Sequence, residues 1–79
     1  MDDYLTLNNL KIGESAKVEM LTSTGVQRRR MLDLGLIKGT TVQAVLNSPS
    51  GDPVAYFIRG TLIALRDEDA KKIYVTATI

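Results

Sequence analysis

Apolar and polar residues alternate along three stretches of the chain and run almost unbroken through a fourth. Between Ser15 and Leu21, the residues Ala16, Val18 and Met20 fall on one side and Lys17 and Glu19 on the other, the period of a half-buried strand. Residues 41–47 repeat the pattern with Val42, Ala44 and Leu46 on one face, and in residues 54–58 Val54, Tyr56 and Ile58 oppose Ala55 and Phe57. Thr61-Leu62-Ile63-Ala64-Leu65 is apolar almost throughout, which predicts a central strand covered on both faces. Residues 73–79 supply a last strand.

One stretch departs from this period. From Val26 to Ile37 the apolar residues follow helical spacing, with Met31, Leu34 and, at an angle, Leu32 forming the apolar surface. Thr24 suits the N-cap and Gln27, three residues on, can complete a capping box; Gly35 can take the left-handed conformation that closes a helix, with Leu36 folding back on the last turn. The helix is therefore expected over residues 25–34. Arg28, Arg29 and Arg30 fan over about 200° of its circumference, so they cannot share one face, and at least one is expected to pack its stem along the core boundary.

The remaining segments read as connections. Leu5, Leu7, Leu10 and Ile12 lie among turn formers and are expected to plug one end of the fold before Gly13 turns the chain. The run Asn47-Ser48-Pro49-Ser50-Gly51-Asp52-Pro53 is a hairpin loop, with Pro49 within it and Pro53 at its edge; Gly39 and Arg59-Gly60 make tight turns. Asp67-Glu68-Asp69 start a one-turn helix whose N-terminus their charges favour. Strands this short hide their faces best by curling up. The expected architecture is mainly β, a small five-stranded SH3-like barrel with a helix inserted between strands 1 and 2 and a short helix before strand 5. One domain, residues 1–79, accounts for the whole chain.

Composition narrows the chemistry. The 79 residues contain no cysteine and no histidine, which removes disulfides, thiolate chemistry, imidazole bases and the usual zinc or haem ligands together. Ser15, Ser23, Ser48 and Ser50 sit near turns without a base beside them, and Gly35 to Thr40 lacks the spacing of a phosphate-binding loop, so no enzymatic activity is expected. Ten basic against nine acidic residues leave a net charge of +1, so electrostatic recognition has to be local. Tyr56, Phe57 and Arg59 raise a nucleic-acid alternative, but adjacent strand residues face opposite sides and only one ring can stack on a base. Asp2 and Asp3 replace the basic start of an export signal and no apolar run approaches the ~18–20 residues that span a bilayer, so a cytoplasmic protein without membrane insertion is expected.

Four segments in order, Arg29 to Thr40, Ser48 to Pro53, Tyr56 to Gly60 and Ile63 to Arg66, resemble the FeoA family of bacterial ferrous-iron transport accessory proteins. The resemblance runs from about Leu7 to Val75. It implies an SH3-like barrel, no catalytic residue, and a cytoplasmic adaptor that binds and modulates the GTP-hydrolysing Fe(II) permease FeoB, through its cytosolic G-domain or the full-length protein. Its motifs are Gly35, Gly39, Pro49, Pro53, Arg59 and Gly60, each with a structural role of its own. Expected partner contacts are Arg28 and Arg29, the rim residue Met31, and the hairpin tip Ser50, Gly51 and Asp52. No cofactor is required. Fe(II) or another divalent metal bound to the chain itself defines a metal-binding or metal-sensing alternative, and self-association through an unpaired edge is a further possibility.

Overall fold

Two of the three alternating stretches break their alternation midway, and each break shapes the fold. A computed structural model of the protein describes residues 4–78, so Asp2, Asp3 and Ile79 lie outside the described residues. Its elements are β1 (Tyr4–Thr6), a 3-10 turn (Leu7–Asn9), β2 (Ser15–Leu21), α1 (Gly25–Asp33), β3 (Thr41–Asn47), β4 (Val54–Ile58), β5 (Thr61–Leu65), α2 (Asp67–Ala70) and β6 (Ile73–Thr78). All strand pairs are antiparallel, in the order β1-β6-β2-β3-β4-β5.

The mainly β architecture and both helix placements are as expected. Among the described residues the strand count is six rather than five, because Tyr4–Thr6 pairs with β6 in register Tyr4 to Thr76. Leu7 and Leu10 behind it are buried and Leu5 packs against the core, whereas Ile12 is exposed. The curled sheet is not closed, and β1 and β5 are its edges. Thr61–Leu65 is therefore an edge strand, not a central one: Leu65 is buried, Ile63 half-buried, and Thr61, Leu62 and Ala64 face solvent.

In β2 the register with β6 shifts between Val18 and Met20. The extra residue turns Met20 outward and puts Leu21 against the core, since one inserted residue swaps the two faces of a strand. The same shift between Ala44 and Leu46 in β3 exposes Leu46. In β4 alternation holds, so Tyr56 and Ile58 are buried and Phe57 is exposed. Buried Leu7, Leu36, Ile58 and Ile73, with Val18, Val42 and Val75, form an aliphatic core around Tyr56, each such side chain contributing about 1.5–3 kcal/mol.

The helix start differs from expectation in one respect. Thr24 occupies the N-cap with extended backbone, but its hydroxyl makes no capping bond. Gln27 does not reach back to it. Instead the Gln27 amide donates to Asp69 Oδ1 at 2.6 Å and accepts from Lys72 Nζ at 3.5 Å, tying α1 to α2. Bonds to charged partners are roughly twice as strong as neutral ones, so the distant charges win over the local cap.

Candidate functional site: a basic, apolar surface around the end of α1

The stop of α1 builds this region. Gly35 has φ +97, and the Gly35 and Leu36 amides donate to the carbonyls of Leu32 (2.9 Å) and Met31 (3.1 Å), the paired bonds of a Schellman motif. Leu36 and Met31 then meet inside the core. Met31 is only 2% exposed, so it is a core residue and not a rim contact: the helix closure that folds Leu36 back requires an apolar partner at that place. The residue that lies at the rim instead is Leu32.

A second feature comes from far along the chain. Arg59 and Gly60 form the two-residue turn between β4 and β5 with φ +49 and +84, the sign pair of a type I′ hairpin. The Arg59 stem lies directly over Gly35, so close that a Cβ on Gly35 would stand 2.3 Å from Arg59 Cδ. The absence of a side chain at Gly35 thus serves both the helix stop and the seat of Arg59.

Around this crossing is an open cleft of about 450 Å³ lined by Leu32, Asp33, Gly35, Ile37, Arg59 and Ile63 among others. On the other side of Leu32 and Ile37 a smaller hollow of about 210 Å³ includes Met20, Arg28 and Lys38. Arg28, Arg29, Leu32 and Asp33 border a third. Exposed Met20 (53%), Leu32 and Ile37 are therefore surrounded by Arg28, Arg29, Lys38 and Arg59, with only Glu19 and Asp33 of opposite sign lining these hollows. The surface is locally positive on a chain whose net charge is +1.

Arg28 and Arg29 are exposed as expected, and so is Arg30; of the three it is Arg28 that lines a hollow together with the core residues Val18 and Leu36. Arg28 Nη1 donates to the Leu21 carbonyl at 3.3 Å, which steadies it at the end of β2. Ser50, Gly51 and Asp52 are exposed too, at the tip of the β3–β4 hairpin. Their bonds lead elsewhere: Asp52 Oδ1 accepts the Asp67 amide at 2.8 Å, capping α2, and Ser50 Oγ donates to the Asp52 carbonyl at 3.0 Å. Met20, Lys38 and the seat of Arg59 were not singled out by sequence reasoning. Nothing local in the sequence signals the pairing of Gly35 with a remote arginine.

Among the described residues the buried side chains that carry a hydroxyl are Ser23 and Tyr56. Tyr56 donates from its hydroxyl to the Leu7 carbonyl at 3.4 Å, and its pKa is pushed up to about 12, by burial first and then by the charges of Asp67 and Asp52. Among the described residues no three Asp or Glu side chains gather as metal ligands, and no helix is long and apolar enough to cross a membrane.

The comparisons with known proteins agree with this fold. A fusion of Fe(2+) transport protein A with the Fe(2+) transporter FeoB from Porphyromonas gingivalis is 38% identical over 71 residues, which cover 90% of this chain and 8% of that protein. The solution structure of FeoA from Chlorobium tepidum superposes with a TM-score of 0.89 at 32% identity, covering 95% of this chain and 71% of the other. The zinc-complexed FeoA of Stenotrophomonas maltophilia, described as an SH3-domain protein, has a TM-score of 0.81 and 33% identity over 90% of this chain and 88% of its own. The FeoA domain family matches residues 5–77, from β1 through nearly all of β6 and including the α1 stop and the Arg59 turn, so the chain belongs to the FeoA family of ferrous iron transport.

Proposed function

We propose that this protein is a cytoplasmic, non-enzymatic adaptor of ferrous iron uptake that binds a FeoB-type GTP-hydrolysing permease and modulates it. The observation that carries this reading is the Porphyromonas gingivalis fusion, in which a stretch similar to this chain shares one polypeptide with the transporter. Covalent linkage keeps two modules at an effective concentration that reaches the order of millimolar for short linkers. Working contact between them gives such linkage its use.

The contact surface is the basic, apolar region at the end of α1. Arg28 and Arg29, with Lys38 and Arg59, supply donors that suit carboxylates, and Met20, Leu32 and Ile37 supply the apolar centre that interface cores need. Its complement is an acidic segment with apolar side chains on the cytosolic face of the permease. Iron in this reading is the partner's cargo.

The test is a titration of the protein against the soluble cytosolic G-domain and against full-length permease in detergent, with and without guanine nucleotide. Binding to either form is expected, and Arg28→Glu with Arg29→Glu should weaken it at least tenfold while the circular dichroism spectrum is unchanged. Undiminished binding by that double variant would remove α1 from the interface. No binding to either form would overturn the adaptor reading, and saturable stabilisation by Fe(II) alone would then favour the metal-binding alternative.

A further inference from the structure

Among the described residues no strand pairs with the outer side of β5, and its sequence does nothing to guard it. In an antiparallel hairpin closed by two residues, Thr61, Ile63 and Leu65 exchange their bonds with Ile58, Tyr56 and Val54, so the N–H and C=O groups of Leu62 and Ala64 point out of the sheet. Exposed edges are ordinarily blunted by lysine, proline, a bulge or a covering element. Thr61 to Leu65 contains no charge and no proline, and its pairing with β4 is regular throughout. Beside the edge, Leu62 (53% exposed) and Phe57 (46%) sit opposite each other on the outer face.

We propose that this edge pairs with the same edge of a second copy, antiparallel about a two-fold axis at Ile63. That register sets Leu62 opposite Ala64 of the other copy and Ala64 opposite its Leu62, and it is the one two-fold register that uses all four outward groups of each strand in regular pairs. The ends favour it as well. It brings the β4–β5 turn, with exposed Arg59, against the start of α2 in the other copy, where the exposed acids Asp67 and Glu68 outnumber the exposed Arg66 beside them, and the converse contact follows by symmetry. A parallel pairing would instead set the Arg59 ends together. The large Leu62 side chain meets a small Ala64, so the outer apolar faces of both copies join without a clash. A five-residue edge is small beside the roughly 1,200–2,000 Å² of a stable specific interface, so the dimer forms at high local concentration and dissociates on dilution.

Sedimentation and cross-linking test this directly. The wild type should move from 8.7 kDa toward twice that mass as its concentration approaches roughly 1 mM. Ala64→Pro removes one outward N–H at an edge position where proline is tolerated, so it should stay folded and remain at 8.7 kDa throughout. Because the chain has no cysteine, Ile63→Cys introduces a single thiol at the axis, where paired Cα atoms about 4.5 Å apart permit a disulfide. It should cross-link on mild oxidation. Thr61→Cys should not, because its two copies would lie roughly 13 Å apart along the strands. A wild type that stays at 8.7 kDa, an Ala64→Pro variant that associates like the wild type, or equal cross-linking by both cysteine variants would overturn the proposal. Loss of permease binding by Ala64→Pro without any self-association would assign the edge to a partner's strand and overturn it too.

Discussion

Replacing Gly35 by alanine isolates the device on which the α1 surface rests. At φ +97 an L-residue sits in left-handed territory that costs about 1–2 kcal/mol. The new methyl group also meets Arg59 Cδ at 2.3 Å. The Arg59 side chain is exposed and flexible, so it swings aside rather than forcing the backbone, and forfeits the packing of part of its stem, about 0.5–1 kcal/mol. The variant should lose about 1.5–3 kcal/mol by urea denaturation, equivalent to roughly 6–24 °C in Tm for a domain of this size. In an Arg59→Ala background the steric part is absent while the strain at residue 35 remains, so the cost of Gly35→Ala should fall to about 1–2 kcal/mol. Equal costs in the two backgrounds would show that Arg59 does not lie over Gly35. A loss below about 0.5 kcal/mol would refute the requirement for glycine at the helix stop.

Met31→Ala removes a buried side chain where Leu36 folds back, and should cost about 2–5 kcal/mol by the same denaturation assay; a near-neutral result would return Met31 to the surface. Asp52→Ala deletes the acceptor for the first amide of α2 and should cost about 0.5–2 kcal/mol, with Asp52→Asn recovering most of it and α2 amide exchange rising only in the alanine variant. The Tyr56 hydroxyl ionises near 12 in the fold instead of 10.0, so between these values the folded state holds the proton more firmly than the unfolded one. Its contribution is complete below pH 10.0 and is lost as the pH rises toward 12, so stability falls across that window. Tyr56→Phe should remove that part of the alkaline decline, seen as a flatter profile of Tm against pH, and an unchanged profile would exclude Tyr56 as its source.

Local chemistry determined most of the fold's elements from the sequence alone. The stop of α1 could be read from Gly35 and the β3–β4 loop from its two prolines and Gly51, because each depends on groups only a few residues apart; the starts of α1 and α2 fall where Thr24 and the three successive acids put them, although the Thr24 hydroxyl makes no cap and the first amide of α2 is taken by Asp52, 15 residues away. The alternating patterns marked β2, β3 and β4 but not where they slip: a bulge is decided by the partner strand, so the outward turns of Met20 and Leu46 had no local sign. Thr61–Leu65 shows the same limit in another form. A continuous apolar run looks identical whether a strand is flanked on two sides or one, and only the sheet order makes it an edge. Gln27 had a sound local partner in Thr24 and took a charged one 42 residues away. At the candidate site, Arg28 and Arg29 were legible because a helical arginine run has to meet water somewhere. The seating of Arg59 on Gly35 and the gathering of Met20, Leu32, Ile37 and Lys38 between them were not, since they exist only once the β4–β5 turn is brought against the end of α1.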